Sequence, residues 1–263
     1  MTHVSDIVVY PIKSLDGHAV ESSQLRPGGA LAWDREFAMV DADGVFINSK
    51  RTGDVSLLRA QYRLPETGQA TVSLGVAGFD ERDEFDLDVT NRVLAEWLSD
   101  FFGFAVTLIQ NRSGGFPDDT GCNGPTIVST QSLQAVAGWY SDIDVDSVRR
   151  RIRANIEVSA PEAFWEDRCF GDSETPVSIV IAHTTLLGVR PCERCIVPSR
   201  DPESGEVDPN FERTFRRMRE HTLPHWAARS QFDSFYKLTV NTKVGDSENG
   251  KSIRRGDDVV VAS

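Results

Sequence analysis

The chain is short of cysteine, short of lysine and without a long apolar run, and each shortage removes a class of protein. Four cysteines in 263 residues are too few for a disulfide framework, and only Cys192 and Cys195 lie close together. No stretch reaches the roughly 18 to 20 apolar residues that a membrane-spanning helix needs. The N-terminus has no basic region leading into an apolar segment, so no signal peptide or membrane span is expected, and the cytoplasm is the expected location. Lysine occurs five times against 23 arginines, while Asp and Glu total 40, for a formal net charge of −12. That field opposes generic nucleic-acid binding and docking on an anionic membrane, because neutralising phosphates takes positive charge. It suits a salt-adapted source, in which carboxylates keep a protein dissolved. Against this background a local cluster of Arg and Lys has to answer to something anionic.

What remains is ordinary for a globular protein, with 40% hydrophobic and 26% charged residues and enough length for one large domain or two smaller ones. Residues 6–11 read as a buried first strand, followed by a turn at Lys13 and Ser14. Asp43-Gly44 signals a hairpin between two short strands, and residues 57–64 and 70–76 read as two more. Short strands punctuated by Gly and Pro point to a small barrel or sandwich. The first firm helix is predicted over 91–102, with Thr90 as N-cap, Gly103 as stop and a stripe of Val93, Leu94, Trp97, Leu98 and Phe101. Residues 104–110 alternate as a strand.

Residues 111–124, rich in Gly, Asp and Asn, read as a linker and divide the chain into 1–112 and 121–263. Beyond it, a strand end leads into a helix capped by Ser129 or Thr130, whose free N–H groups make a seat for an anion. A helical piece over 146–152 gives way to a strand at 153–158. Further strands are expected at 176–183, 190–197, 235–240 and 258–261. Residues 210–221 have helical spacing with a basic face, read as solvated or as a dock for an acidic redox partner.

Chemistry concentrates in residues 190–209, RPCERCIVPSRDPESGEVDP. Two thiols sit three residues apart with an arginine beside each, and nearby cations favour the thiolate that binds metals. Such a soft ligand suits zinc, Cu(I), iron–sulfur clusters or molybdenum. The C-x-x-C spacing by itself leaves three readings open: half a zinc site, a redox pair, or two packed thiols. Cys122 and Cys169 are isolated, and no histidine pair completes a zinc set. A thioredoxin-like pair should open a helix, whereas Ile196-Val197-Pro198 reads as strand and breaker. Lys13, Ser14, Arg35, Ser129, Thr130, Arg153 and Asn155, scattered along the chain, would pass on sequence physics as solvated charges and caps.

The pattern R-P-C-x-R-C followed by D-P-x-x-G resembles the core motif of the MOSC family, named for the C-terminal domain of molybdenum-cofactor sulfurases. Y-P-I-K-S, D-R-E-F, I-V-S-T and R-x-N-I also match that family in order and approximate spacing. The resemblance spans nearly the whole chain and implies a mainly β fold: a MOSC N-terminal β-barrel domain, then a barrel-like MOSC domain. It is closest in kind to the amidoxime-reducing members. It implies that Cys195 ligates molybdenum, that Lys13, Ser14, Arg35, Arg153 and Asn155 hold the molybdenum cofactor, and that Ser129 or Thr130 and Arg194 contribute. Cationic and hydroxyl side chains suit the phosphate that ends molybdopterin, and an amide suits a pterin edge. Cys192 is expected to be packed rather than a ligand, and Glu166 and Asp167 to shape the pocket wall. The implied activity is reduction of a small N-hydroxylated substrate, with electrons from an external ferredoxin- or flavoprotein-type donor. Neither a pyridoxal phosphate site nor an iron–sulfur cluster is predicted in this chain. A non-catalytic carrier of the cofactor, or of a persulfide on Cys195, is the alternative.

Overall fold

The computed structural model describes residues 2–172 and 175–262. The fold is mainly β, with four helices among the described residues: α1 (Arg92–Phe102), α2 (Thr130–Ala137), α3 (Val145–Ile152) and α4 (Phe211–His221). None is long and apolar enough to cross a membrane.

The largest sheet has eight strands, in the spatial order Val259–Val261, Val177–Ile181, Thr184–Glu193, Lys237–Val244, Ile127–Ser129, Ile156–Ser159, His3–Val9 and His18–Ala19. All neighbours are antiparallel except Ile127–Ser129 and Ile156–Ser159, which run parallel with α2 and α3 as their crossover. The N-terminal strand thus lies in a sheet built mostly from the second half, with Ile7 opposite Ile156. Ser22–Gln24 likewise pairs with Ser252–Arg254. The rest of the first half forms a three-stranded antiparallel sheet (Leu58–Arg63, Thr71–Val76, Arg82–Asp86) and a two-stranded one (Phe37–Val40 with Thr107–Gln110). Three apolar cores follow: Ile7, Ile127, Ile156, Ile179 and Val240 under the large sheet, Phe37, Met39, Val72, Leu94 and Leu98 in the first half, and Val136, Val148, Phe211 and Phe215 beneath the later helices.

Local expectations meet the structure unevenly. The first helix is capped by Asn91, whose side-chain Oδ1 accepts from the N–H groups of Val93 and Leu94, while the Thr90 hydroxyl turns to Asp88. Gly103 ends it at φ +73°, and Leu94 and Leu98 are buried, but Val93 is 63% exposed and lies off the stripe. The turn at Asp43-Gly44 forms, yet its second strand shrinks to a single bridge between Val40 and Phe46. The strand expected over 190–197 stops at Glu193, after two register shifts around Pro191, where a donor is missing from the ladder. Residues 82–86 escaped notice because only Phe85 of that strand is buried among charged neighbours.

Arg219 departs most from its sequence reading. Rather than facing solvent it is fully buried, pairs with Asp167 at 2.5 Å, and lies over the rings of Phe164 and Phe232. The 3-10 turn Trp165–Cys169 buries Asp167 beside Glu166. Glu166 accepts from the Ser132 hydroxyl at 2.8 Å and the Ser129 N–H at 3.3 Å, and neither carboxylate lines the main cavity. Burial, reinforced by Asp167, pushes the Glu166 carboxyl up to about 7 from an ordinary 4.5. The folded chain therefore keeps a proton that the unfolded chain releases above its own, lower value. Stability is expected to fall as pH rises through this window, by up to about 3 kcal/mol. Urea unfolding at pH 5 and pH 8 should show that fall in the wild type and a smaller one in Glu166→Gln. Replacing Asp167 with Ala should cost about 3–5 kcal/mol, because it strands a buried guanidinium.

Candidate cofactor site

A cavity of about 380 Å³ opens between the two halves of the chain. Lys13, Ser14, Arg35 and Lys50 reach it from the first half, and Arg153, Asn155, Cys192, Arg194 and Cys195 from the second. Ten Lys and Arg residues line it against five Asp, in a protein whose overall charge is −12. Positive side chains therefore outnumber carboxylates in this lining, against the sign of the chain as a whole.

Its geometry is set by the end of the first strand. Tyr10, buried, accepts the Arg35 N–H at its carbonyl (2.8 Å) and donates its own N–H to Asp34 (3.0 Å). Its hydroxyl donates to the Ala154 carbonyl at 3.2 Å. The guanidinium carbons of Arg35 and Arg153 lie 5.1 and 4.1 Å from the centre of its ring. Cations over an aromatic face gain stabilisation that partly offsets their mutual repulsion. Arg35 also pairs with Asp34 at 2.5 Å, and Arg153 donates to the Leu15 carbonyl at 2.6 Å. Burial pushes the proton affinity of Arg153 down, and nearby Arg35 adds to the effect.

Three of these residues sit in left-handed backbone conformations: Ser14 at φ +75°, Arg35 at +50° and Arg153 at +56°. Non-glycine residues adopt this region at a cost of about 1 kcal/mol or more, and such strain gathers where side chains must be aimed. Arg153 is the C-cap of α3, so the end of that helix directs its side chain. Gly115 (φ +62°) lets the linker lie against the Asp34–Arg35 backbone, where a Cβ would meet the Asp34 carbonyl at 2.6 Å.

Lys13 is buried, with Nζ donating to the Phe116 carbonyl and to Asp118, each at 2.8 Å. Desolvation lowers its proton affinity while Asp118 works against that. Burial raises the Asp118 carboxyl, but Lys13, Lys50 and Arg35 outweigh it and hold the group at about 2. Residues 111–124, read from sequence as a linker, are thus a wall of the cavity, with Asp118 as its counter-ion.

On the opposite wall, Arg194 is already committed. It donates to Cys192 Sγ at 3.1 Å and to the Ile152 carbonyl at 2.6 Å, and its buried Nε has no partner among the described residues. It therefore braces the thiol turn while lining the cavity with its remaining donors unpaired among the described residues. Cys195 is half-buried and lines the cavity, and no side chain among the described residues hydrogen-bonds its sulfur. Nor does any group of three or more His, Cys, Asp or Glu suited to a metal occur among them. A metal at Cys195 would have to bring its other ligands with it. The Asn155 side-chain carbonyl accepts from Thr126 and, at 3.5 Å, from Arg35, and its amide donates to the Val8 carbonyl, which leaves one amide N–H unpaired among the described residues.

Ser129 and Thr130 require a correction. Neither lines the cavity. Ser129 is fully buried and caps α2 through the Ser132 N–H, and Thr130 faces the Val158 carbonyl and Ser5. The N-terminus of this helix is occupied by its own cap and by Glu166. Sequence reasoning had missed Tyr10 and Asp118; the first lay inside a quoted motif, while the second had no signal beyond its charge.

Comparison with known proteins identifies the family. The MOSC N-terminal beta barrel domain matches residues 1–104, and the MOSC domain matches residues 125–260, half of the chain by itself. The chain belongs to the MOSC family. This MOSC protein is similar to mitochondrial amidoxime reducing component 2 of Bos taurus, 23% identical over 242 residues that cover 78% of this chain and 68% of the relative. It is also similar to the molybdenum cofactor sulfurases of Caenorhabditis briggsae and Drosophila melanogaster, each 23% identical. The matched parts cover 88% and 81% of this chain but only 34% and 30% of those longer proteins.

Cations with spare donors in a closed space should bind a free anion without any cofactor. Pyrophosphate at ten times its Kd is expected to stabilise the apo protein by about 1.4 kcal/mol. Thermal unfolding should show the shift shrinking in high salt and disappearing in Arg153→Met.

Proposed function

We propose that this MOSC protein is a molybdenum-cofactor oxidoreductase that removes oxygen from small N-hydroxylated compounds. One observation carries the reading: a single chamber joins a half-buried cysteine to arginines and a lysine delivered from both halves of the chain. The donor set fits the group. Cys195 offers one soft thiolate, and the dithiolene sulfurs of the pterin complete a set that the protein's own residues do not. Arg35, Arg153 and Lys13, with the Ser14 hydroxyl, are suited to the terminal phosphate, and the remaining Asn155 N–H to the pterin. The chamber's volume falls in the range of small-molecule sites, roughly 300–1,000 Å³.

When bound, the cofactor would supply a redox metal able to accept an oxygen atom. The chain contributes binding, orientation and shielding from water. Breaking the N–O bond of an amidoxime consumes two electrons and two protons and releases the amidine and water, so an external electron donor belongs to the proposal. The names of the relatives support this reading, the bovine one most directly. The cytoplasm remains part of it.

The long match to the sulfurases favours a second reading, a carrier that holds the cofactor or a persulfide on Cys195 for delivery elsewhere. Turnover separates the two. Protein made in a host that synthesises the cofactor should contain about one molybdenum and one pterin per chain and should reduce benzamidoxime with dithionite as donor. Cys195→Ser should lose most of the metal. Wild type purified free of both metal and pterin would sink the proposal, and loaded wild type without turnover would favour the carrier.

A further inference from the structure

We propose that the exposed face of α4, with Ile196 beside it, is the docking surface for an acidic one-electron carrier protein. The inference rests on the reading above that electrons arrive from outside the chain. Helix α4 buries Phe211, Phe215 and Arg219 and leaves Arg213 and Arg217, one turn apart, exposed. Among the described residues neither pairs with a carboxylate: Arg213 donates only to Asn210, at 2.7 Å, and the Arg217 side chain has no partner. Arg216 between them takes up the charge of Glu212 at 2.7 Å.

The same helix is linked to the thiol turn through Arg216 and one aromatic ring. The Arg216 guanidinium stands 5.3 Å from the ring centre of Tyr236, and the Tyr236 carbonyl accepts the N–H of Arg194, the residue before Cys195, at 2.8 Å. Ile196, the residue after Cys195, is 41% exposed, and the 3-10 turn it opens, Val197–Ser199, packs against α4. The chain next to the thiol thus reaches the surface at an apolar residue, in a turn packed against the helix that carries the two unpaired guanidinium groups. An apolar centre with a charged rim is the usual anatomy of a short-lived protein contact.

Charge selects the partner. A chain of net charge −12 repels acidic carriers almost everywhere, so productive encounters are confined to places where the local field is positive. Each turnover needs two electrons, so a one-electron carrier must dock and leave twice. A small, salt-sensitive contact suits that exchange better than a large one.

The test compares two donors on the cofactor-loaded protein, with benzamidoxime as acceptor. Plant-type ferredoxin, kept reduced by its own reductase, is the acidic carrier, and dithionite is the small donor. The double variant Arg213→Glu/Arg217→Glu should slow ferredoxin-driven turnover about tenfold at low salt and leave dithionite-driven turnover unchanged. Raising salt should slow the wild type with ferredoxin and narrow the gap between the two proteins. Arg82→Glu/Arg92→Glu, at two exposed positions of the first half, makes the same change in net charge and should change neither rate. Ferredoxin-driven rates indifferent to salt and to the double variant would overturn the docking surface. So would the absence of any ferredoxin-driven rate in protein that turns over with dithionite. Absence of turnover with dithionite would instead count against the proposed reaction.

Discussion

Two guanidinium groups of like charge, held against one tyrosine ring, are the constraint on which the chamber depends. Arg35 and Arg153 come from residues more than a hundred positions apart, and Tyr10 holds both. Its backbone pairs with Arg35 and Asp34, and its hydroxyl fixes the carbonyl just after Arg153. Without a ligand, such a pair is an electrostatic load on the fold, met in part by Asp34, Asp118 and the aromatic face. An anion in the chamber relieves that load, so binding and folding share the same free energy.

The chain handles its other buried cations differently, and the contrast separates structural arginines from available ones. Arg151 spends its donors on the carbonyls of Pro198 and Arg200 and on Asp201. Arg59 bonds the carbonyls of Ser56, Leu58, Pro202 and Glu203. Arg219 is closed off with Asp167. These side chains act as mortar between segments. Arg153, by comparison, makes one hydrogen bond, and Lys50 only a long one of 3.5 Å to Asp118. What identifies a candidate ligand-holding group is unspent donor capacity rather than charge or burial.

Much of this was legible from the chain. The motifs around Lys13, Arg35, Arg153 and Cys195 converge on one chamber, and the helices and most of the strands fall where periodicity put them. What was hidden had physical causes. Arg219 looked solvated because nothing local reveals that Asp167, 52 residues earlier, waits for it. Ser129 and Thr130 looked like an anion seat because a helix start offers donors, yet Glu166 and the cap itself had taken them. Arg194 lines the chamber, while its bonds to Cys192 Sγ and the Ile152 carbonyl left no mark in the motif. Sequence shows which groups are gathered, while their commitments depend on packing from distant segments.

The seating of strand His3–Val9 between Ile156–Ser159 and His18–Ala19 has a bearing on how the protein matures. The strand that leads into Tyr10 leaves the ribosome well before its partner, about 150 residues downstream. Such non-local pairing gives the chain a high contact order, which slows folding. Assembly of the chamber therefore comes late in biogenesis, and any cargo it takes would be enclosed by a nearly finished molecule.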